Sequence, residues 1–80
     1  MILNKLGTNE TEIVTWKHMI LFSYETPVAV KKGNVIFVTE ERYSRTTTKH
    51  IHRWICKLDL PQNVREIKVP QKKIKEMIGE

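Results

Sequence analysis

Arg42, Arg45, Lys49, Arg53 and Lys57 fall within sixteen consecutive positions, and Glu41 is the one acid beside them. On a helix, at about 100° per residue, Lys49, Arg53 and Lys57 form one stripe opposite the apolar Ile51, Trp54, Ile55 and Leu58. Such a stripe can lie along phosphates or enter a major groove, since cationic contacts to phosphate carry much of the affinity for nucleic acid. The solvated outer face of an ordinary surface helix has the same composition. These five residues are candidate nucleic-acid contacts, with DNA and RNA equally open.

Other chemistries are weaker on the page. Tyr43, Arg45, His50 and Arg53 together resemble a phosphoryl-transfer set, with a nucleophile, an acid or base, and charge-stabilising guanidiniums. A glycine-rich phosphate loop, a carboxylate cluster and a glycine-framed nucleophile are all missing, so the expectation is a protein that is not an enzyme. His52 and Cys56 stand four apart on one helix flank, as two metal ligands do. A structural zinc site takes four ligands, and only His18 could add a third, so neither a metal nor another cofactor is expected. Cys56 reads instead as a half-buried free thiol. Thr46, Thr47 and Thr48 can bind an anion at a helix start, but capping is their ordinary role. His50 is one turn from Thr46, which allows a hydroxyl–imidazole bond there. Trp54 belongs to the apolar stripe. Trp16 is read as core too, with a stacking platform or partner anchor as the alternative.

Eighty residues make a single domain, 1–80, in which residues 1–10 could fray or add an edge strand. So short a chain buries only about 60% of its unfolded surface, and dimerisation is one ordinary way to gain buried area. The formal net charge is +5. Lys5, Lys17, Lys31 and Lys32 balance Glu10, Glu12, Glu25 and Glu40, so the whole excess lies in residues 41–80. A basic half on a neutral half suggests an anionic partner. A single cysteine points to a reducing, cytoplasmic setting. The first residues are too few and too polar for a signal peptide, and the longest apolar run, Met19–Phe22, is far below a membrane span.

Elements that could hold these residues follow from periodicity. Residues 13–24 are β-branched and aromatic enough for a strand, with Ile20, Phe22 and Tyr24 on one face and Met19 and Leu21 on the other. Pro27 belongs at a strand start or an edge. Val28–Val30 and Val35–Val38 form a hairpin that turns at Gly33, where a positive φ costs nothing. Ile51, Trp54, Ile55 and Leu58 mark an amphipathic helix from about Ser44, capped by Ser44 or Thr46 and closed by Asp59 and Pro61. A short strand over 66–69 follows, and Pro70 opens a last helix with Ile74, Met77 and Ile78 on its apolar edge. The fold class is α+β: a small antiparallel sheet of three to four strands, with both helices on one face.

Two stretches, Ser23-Tyr24-Glu25-Thr26-Pro27-Val28-Ala29 and Val38-Thr39 leading into Tyr43-Ser44-Arg45-Thr46-Thr47-Thr48-Lys49-His50-Ile51, carry a resemblance. Together they resemble a family of small uncharacterised proteins from bacteriophages, archaeal viruses and mobile elements that share the pattern SYxTPVA…VT…YSxTTxxH. The likeness spans roughly residues 20–58, with a looser echo in Val69-Pro70-Gln71. It implies a mobile-element origin and a host-cell cytoplasm, and it draws attention to Tyr24, Thr26, Pro27, Tyr43, Ser44, Thr46, Thr47 and His50. It does not separate a binding surface from a packing motif. Two functions stand at this point: a small viral or mobile-element accessory protein binding nucleic acid through residues 42–57, or a protein-interaction module acting on a host or viral protein. The hydroxyl- and aromatic-rich segments suit the second equally.

Overall fold

Alternation of apolar and polar side chains, broken by turn residues, divides the first half of the chain into five strands. They are β1 (Ile2–Gly7), β2 (Glu10–Val14), β3 (Met19–Ser23), β4 (Thr26–Lys32) and β5 (Val35–Thr39); α1 (Arg45–Lys57), β6 (Arg65–Val69) and α2 (Gln71–Ile78) complete the chain. The computed structural model describes residues 1–58 and 64–79.

The strands form one sheet in chain order, antiparallel from β1 to β5. β6 then lies parallel to β5. A parallel pair needs a crossover, and α1 supplies it. The sheet is therefore larger than the three to four strands expected, and it is not wholly antiparallel. Two local features hid its extent. Residues 13–24 are not one strand: Thr15–His18 make a turn in which Thr15 Oγ1 accepts the backbone N–H of His18 at 3.1 Å. Residues 2–7 are ordered as an edge strand, the second of the two outcomes expected for that segment. Tyr24 lies beyond the end of β3, in the turn to β4.

The hairpin of β4 and β5 turns at Gly33, φ +59°, as its sequence predicts. Pro27 sits second in β4, opposite Phe22 and beside a register shift, so the lost N–H falls where the ladder is already irregular.

The helices lie on opposite faces of the sheet, not on one. Leu21, Val28, Ala29, Ile36 and Val38 pack with Ile51 and Trp54 of α1. Ile20 and Val30 pack with Ile74 and Met77 of α2, flanked by Phe22 and Phe37. In β5, Ile36 and Val38 point to one helix and Phe37 to the other, the period-2 consequence of a strand buried on both sides. Continuous runs such as Val28–Val30 and Val35–Val38 are the mark of two-sided burial.

Ser44 is the N-cap of α1, accepting the N–H of Thr47 at 3.1 Å; Thr46 is exposed and does not cap. The helix ends at Lys57 with Leu58 as its C-cap. The expected stop at Asp59 and Pro61 lies outside the described residues. Pro70 occupies the N-cap of α2 rather than its first turn.

The connections sort to two ends of the sheet. At one end Tyr24 donates its N–H to the Asn9 carbonyl at 2.7 Å, Gln71 Nε2 donates to the Pro27 carbonyl at 2.8 Å, and both helices begin. At the other, Arg65 donates its N–H to the Asn34 carbonyl at 2.9 Å, and His18 Nε2 lies 3.3 Å from the Met77 carbonyl.

Candidate functional site

The inward face of α1 is Thr47, His50, Ile51 and Trp54, all buried. Geometry then forces Arg45, Lys49, His52 and Cys56 to point away from the sheet, with Arg53 and Lys57 turning toward β2. All six are exposed. The helix carries no acid in its first turn and none along its length. Arg42 and Tyr43 extend this surface past the N-cap. An open groove of about 550 Å³ is lined by Arg42, Tyr43, Ser44, Arg45, Thr48 and Lys49. A second, of about 590 Å³, lies between Thr48, Lys49, His52 and Arg53. Arg42, Arg45, Lys49, Arg53 and Lys57 therefore share one side of the molecule, as their spacing predicts. Arg53 is partly engaged: its Nη2 lies 3.5 Å from Glu10 Oε2, with the arginine side chain 67% exposed and the glutamate 6%.

The residues singled out by the resemblance divide into two groups. Thr47 and His50 face inward and meet Ser23 of β3, whose Oγ lies 3.0 Å from Thr47 Oγ1 and 2.8 Å from His50 Nδ1. The Ser44 hydroxyl donates to Thr47 Oγ1 at 3.3 Å. One chain of donation satisfies every hydroxyl: Ser44 to Thr47, Thr47 to Ser23, Ser23 to an accepting His50 Nδ1. Ser23, Thr47 and His50 are buried, so this latch ties the first two turns of α1 to the sheet. The bond expected between His50 and Thr46 is replaced by the one to Ser23, because Thr46 points outward. Ser23 was missed as a site residue. Its signal is its place two positions after Leu21, on the same face and under α1.

Tyr24, Tyr43 and Thr46 form the second, outward group, with Thr26 and Pro27 half-buried between the two. Tyr24 has φ +58°, where a bulky side chain is an outlier and Asn or Gly is usual. Its ring leans on His50, centroids 6.2 Å apart at 46°. Tyr43 lines the first groove. Its phenol is pushed above the ordinary 10.0, first by desolvation and then by the nearby Glu41 carboxylate, so it is neutral at physiological pH.

The phosphoryl-transfer set does not converge. His50 is sealed under α1, Tyr43 and Arg45 line the groove outside, and Arg53 turns toward Glu10. His52 and Cys56 are exposed, whereas a half-buried thiol was expected. His18 is bonded to Thr15 Oγ1 at 2.8 Å, in the β2–β3 turn. Among the described residues no three His, Cys, Asp or Glu side chains group as a metal site would require. Trp54 is core, but Trp16 is 90% exposed in the β2–β3 turn, with the Lys17 ammonium 5.0 Å from its ring centre. Placing it in the core was an error of register: with 15–18 a turn, it has no sheet face to occupy. Buried Glu10 and Glu12 were also unforeseen. They alternate with Thr11 and Ile13 and read as a polar outer face until helices are known to cover both sides.

No helix among the described residues is long and apolar enough to cross a membrane. A model for a family of unknown function, DUF8033, matches residues 1–76. No curated protein and no solved structure matches the chain.

Proposed function

The chain belongs to DUF8033, a family without an assigned function, and we propose from its own geometry that it binds nucleic acid through the outward face of α1 and the segment leading into it. The observation that carries this reading is the side shared by Arg42, Arg45, Lys49, Arg53 and Lys57, on a helix with no acid of its own and with open grooves between the cations. Long cationic side chains flanking open grooves suit phosphates, which need point charges along a path rather than a closed pocket. Ser44 and Thr48 line the same groove, where their hydroxyl protons are already given to Thr47 Oγ1 and the Ser44 carbonyl. No step of bond making or breaking is assigned to this surface. The resemblance to proteins of phages, archaeal viruses and mobile elements supports an accessory role in such an element, acting in the host cytoplasm.

Anisotropy titrations with labelled single-stranded and duplex DNA and RNA test this. With five phosphate contacts, affinity should drop by about 100- to 500-fold between 50 and 200 mM salt. Absence of binding to all four at low salt would overturn the reading.

A second reading, a protein-interaction module, is favoured by a different surface. Edge strand β1 exposes Ile2 and Leu3, and Trp16 is exposed near the end of β2 that pairs with them. Capture of a host or viral protein that survives nuclease treatment and is lost in Trp16→Ala would support it.

A further inference from the structure

Resting on the nucleic-acid reading, we infer that the ligand is single-stranded, its bases stacking on Tyr24 and Tyr43 while its phosphates cross the N-terminal half of α1. Both tyrosines stand at the same end of the sheet. Tyr24 occupies the β3–β4 turn and Tyr43 the β5–α1 connection, one residue before the N-cap. Tyr24 leans on His50, at one edge of the buried face of α1; Tyr43 shares its groove with Thr48, which projects from the other edge. Between those edges lie Arg45 and Lys49. The order across the helix is therefore ring, cations, ring.

Both rings are about half exposed, Tyr24 at 51% and Tyr43 at 46%. A tyrosine in a tight turn at φ +58° is held there against its backbone preference, fixed by the N–H bond to Asn9 and the contact with His50. The side chain of Tyr24 packs on His50 with one part and leaves about half its surface to solvent. Tyr24 lines a groove of its own with Lys5, Asn9, Thr11, Glu25 and Thr26, and there it offers a flat face to a base. Unpaired bases stack on aromatic rings whatever their sequence, whereas paired bases are already stacked on one another. A duplex could use the cations of α1 but not the rings. DNA and RNA single strands share this chemistry.

The test is anisotropy with oligo(dT), oligo(U) and a DNA duplex, each of roughly 20 nucleotides per strand, a length that exceeds the usual site size. Single strands should bind at least about tenfold more tightly than duplex, and Tyr43→Ala or Tyr24→Asn should each weaken oligo(dT) binding by about 5- to 150-fold. Asparagine tolerates the left-handed backbone, so the second variant keeps its turn. Tyr24→Phe and Tyr43→Phe should bind as the parent does, since stacking needs the ring and not the hydroxyl. The salt slope should be unchanged in all four variants, because none removes a charge. Duplex binding as tight as single-strand binding, or ring-deleted variants that bind oligo(dT) like the parent, overturn the inference while leaving the cationic surface standing. Loss of all binding in the parent overturns both.

Discussion

Ser23→Ala is the sharpest test of the latch between α1 and the sheet. The hydroxyl lies between two buried partners, Thr47 Oγ1 at 3.0 Å and His50 Nδ1 at 2.8 Å. Removing it deletes two hydrogen bonds, each contributing about 1 kcal/mol net. Thr47 keeps a partner, since the Ser44 hydroxyl reaches it at 3.3 Å. His50 Nδ1 keeps none among the described residues, and a buried unsatisfied nitrogen costs about 1–3 kcal/mol in place of the bond it lost. Serine and alanine differ by one atom, so the cavity contribution is small. The expected loss is about 2–4 kcal/mol, a large fraction of the ~4–12 kcal/mol available to a domain of this size. At about 4–8 °C per kcal/mol, the melting temperature should fall by roughly 8–32 °C. Thermal unfolding followed by far-UV circular dichroism reads this directly. Thr46→Ala, one position from the latch but exposed, is the control and should stay within about 0.5 kcal/mol of the parent. Combining Ser23→Ala with Thr47→Val should cost less than the two singly, because both act on one network. A Ser23→Ala protein melting within about 2 °C of the parent refutes the latch. The inward pattern residues would then contribute shape alone.

Trp54→Ala should cost about 3–5 kcal/mol and approach global unfolding, whereas Trp54→Phe should cost much less, because the buried indole N–H has no partner to lose among the described residues; chemical denaturation separates the two. Gly33→Ala meets no neighbour within 4 Å among the described residues, so it should lose only the ~1–2 kcal/mol of a left-handed alanine, visible as a shifted denaturation midpoint with unchanged slope. In absorbance titration Tyr43 should ionise above 10.0, and Glu41→Gln should bring it partway down. Because the folded value is the higher one, stability from this group is complete below 10.0 and fades as pH climbs through the folded value.

Local chemistry was legible wherever one element decided it. The hairpin at Gly33, the buried stripe of α1, its cap at Ser44 and the outward set of cations all follow from turn residues and a 3.6-residue period. What the sequence hid depends on pairing between distant segments. Glu10 and Glu12 look solvated because alternation alone suggests one buried face, yet α1 covers the side they occupy. Trp16 looks like core until Thr15 and His18 close a turn around it. The likeness to an uncharacterised family marked Thr47 and His50 without saying which way they point. Only the helix phase, with Ile51 and Trp54 buried, turns them inward, and the same phase turns Arg45 and Lys49 outward.

Charge removal on that outward face tests the central claim most directly. Arg45 and Lys49 meet no acid among the described residues, and both point away from Trp54, so Arg45→Ala/Lys49→Ala should melt with the parent protein. The measurement is the dependence of log affinity on log salt for the parent and this double variant, with the same oligo(dT) probe. Each lost phosphate contact on a single strand should flatten the slope by ~0.7, so the double variant should be shallower by roughly 1.4 and weaker at every salt concentration. A folded double variant with the parent's slope and affinity would place any nucleic-acid contact elsewhere and leave α1 as an ordinary solvated helix.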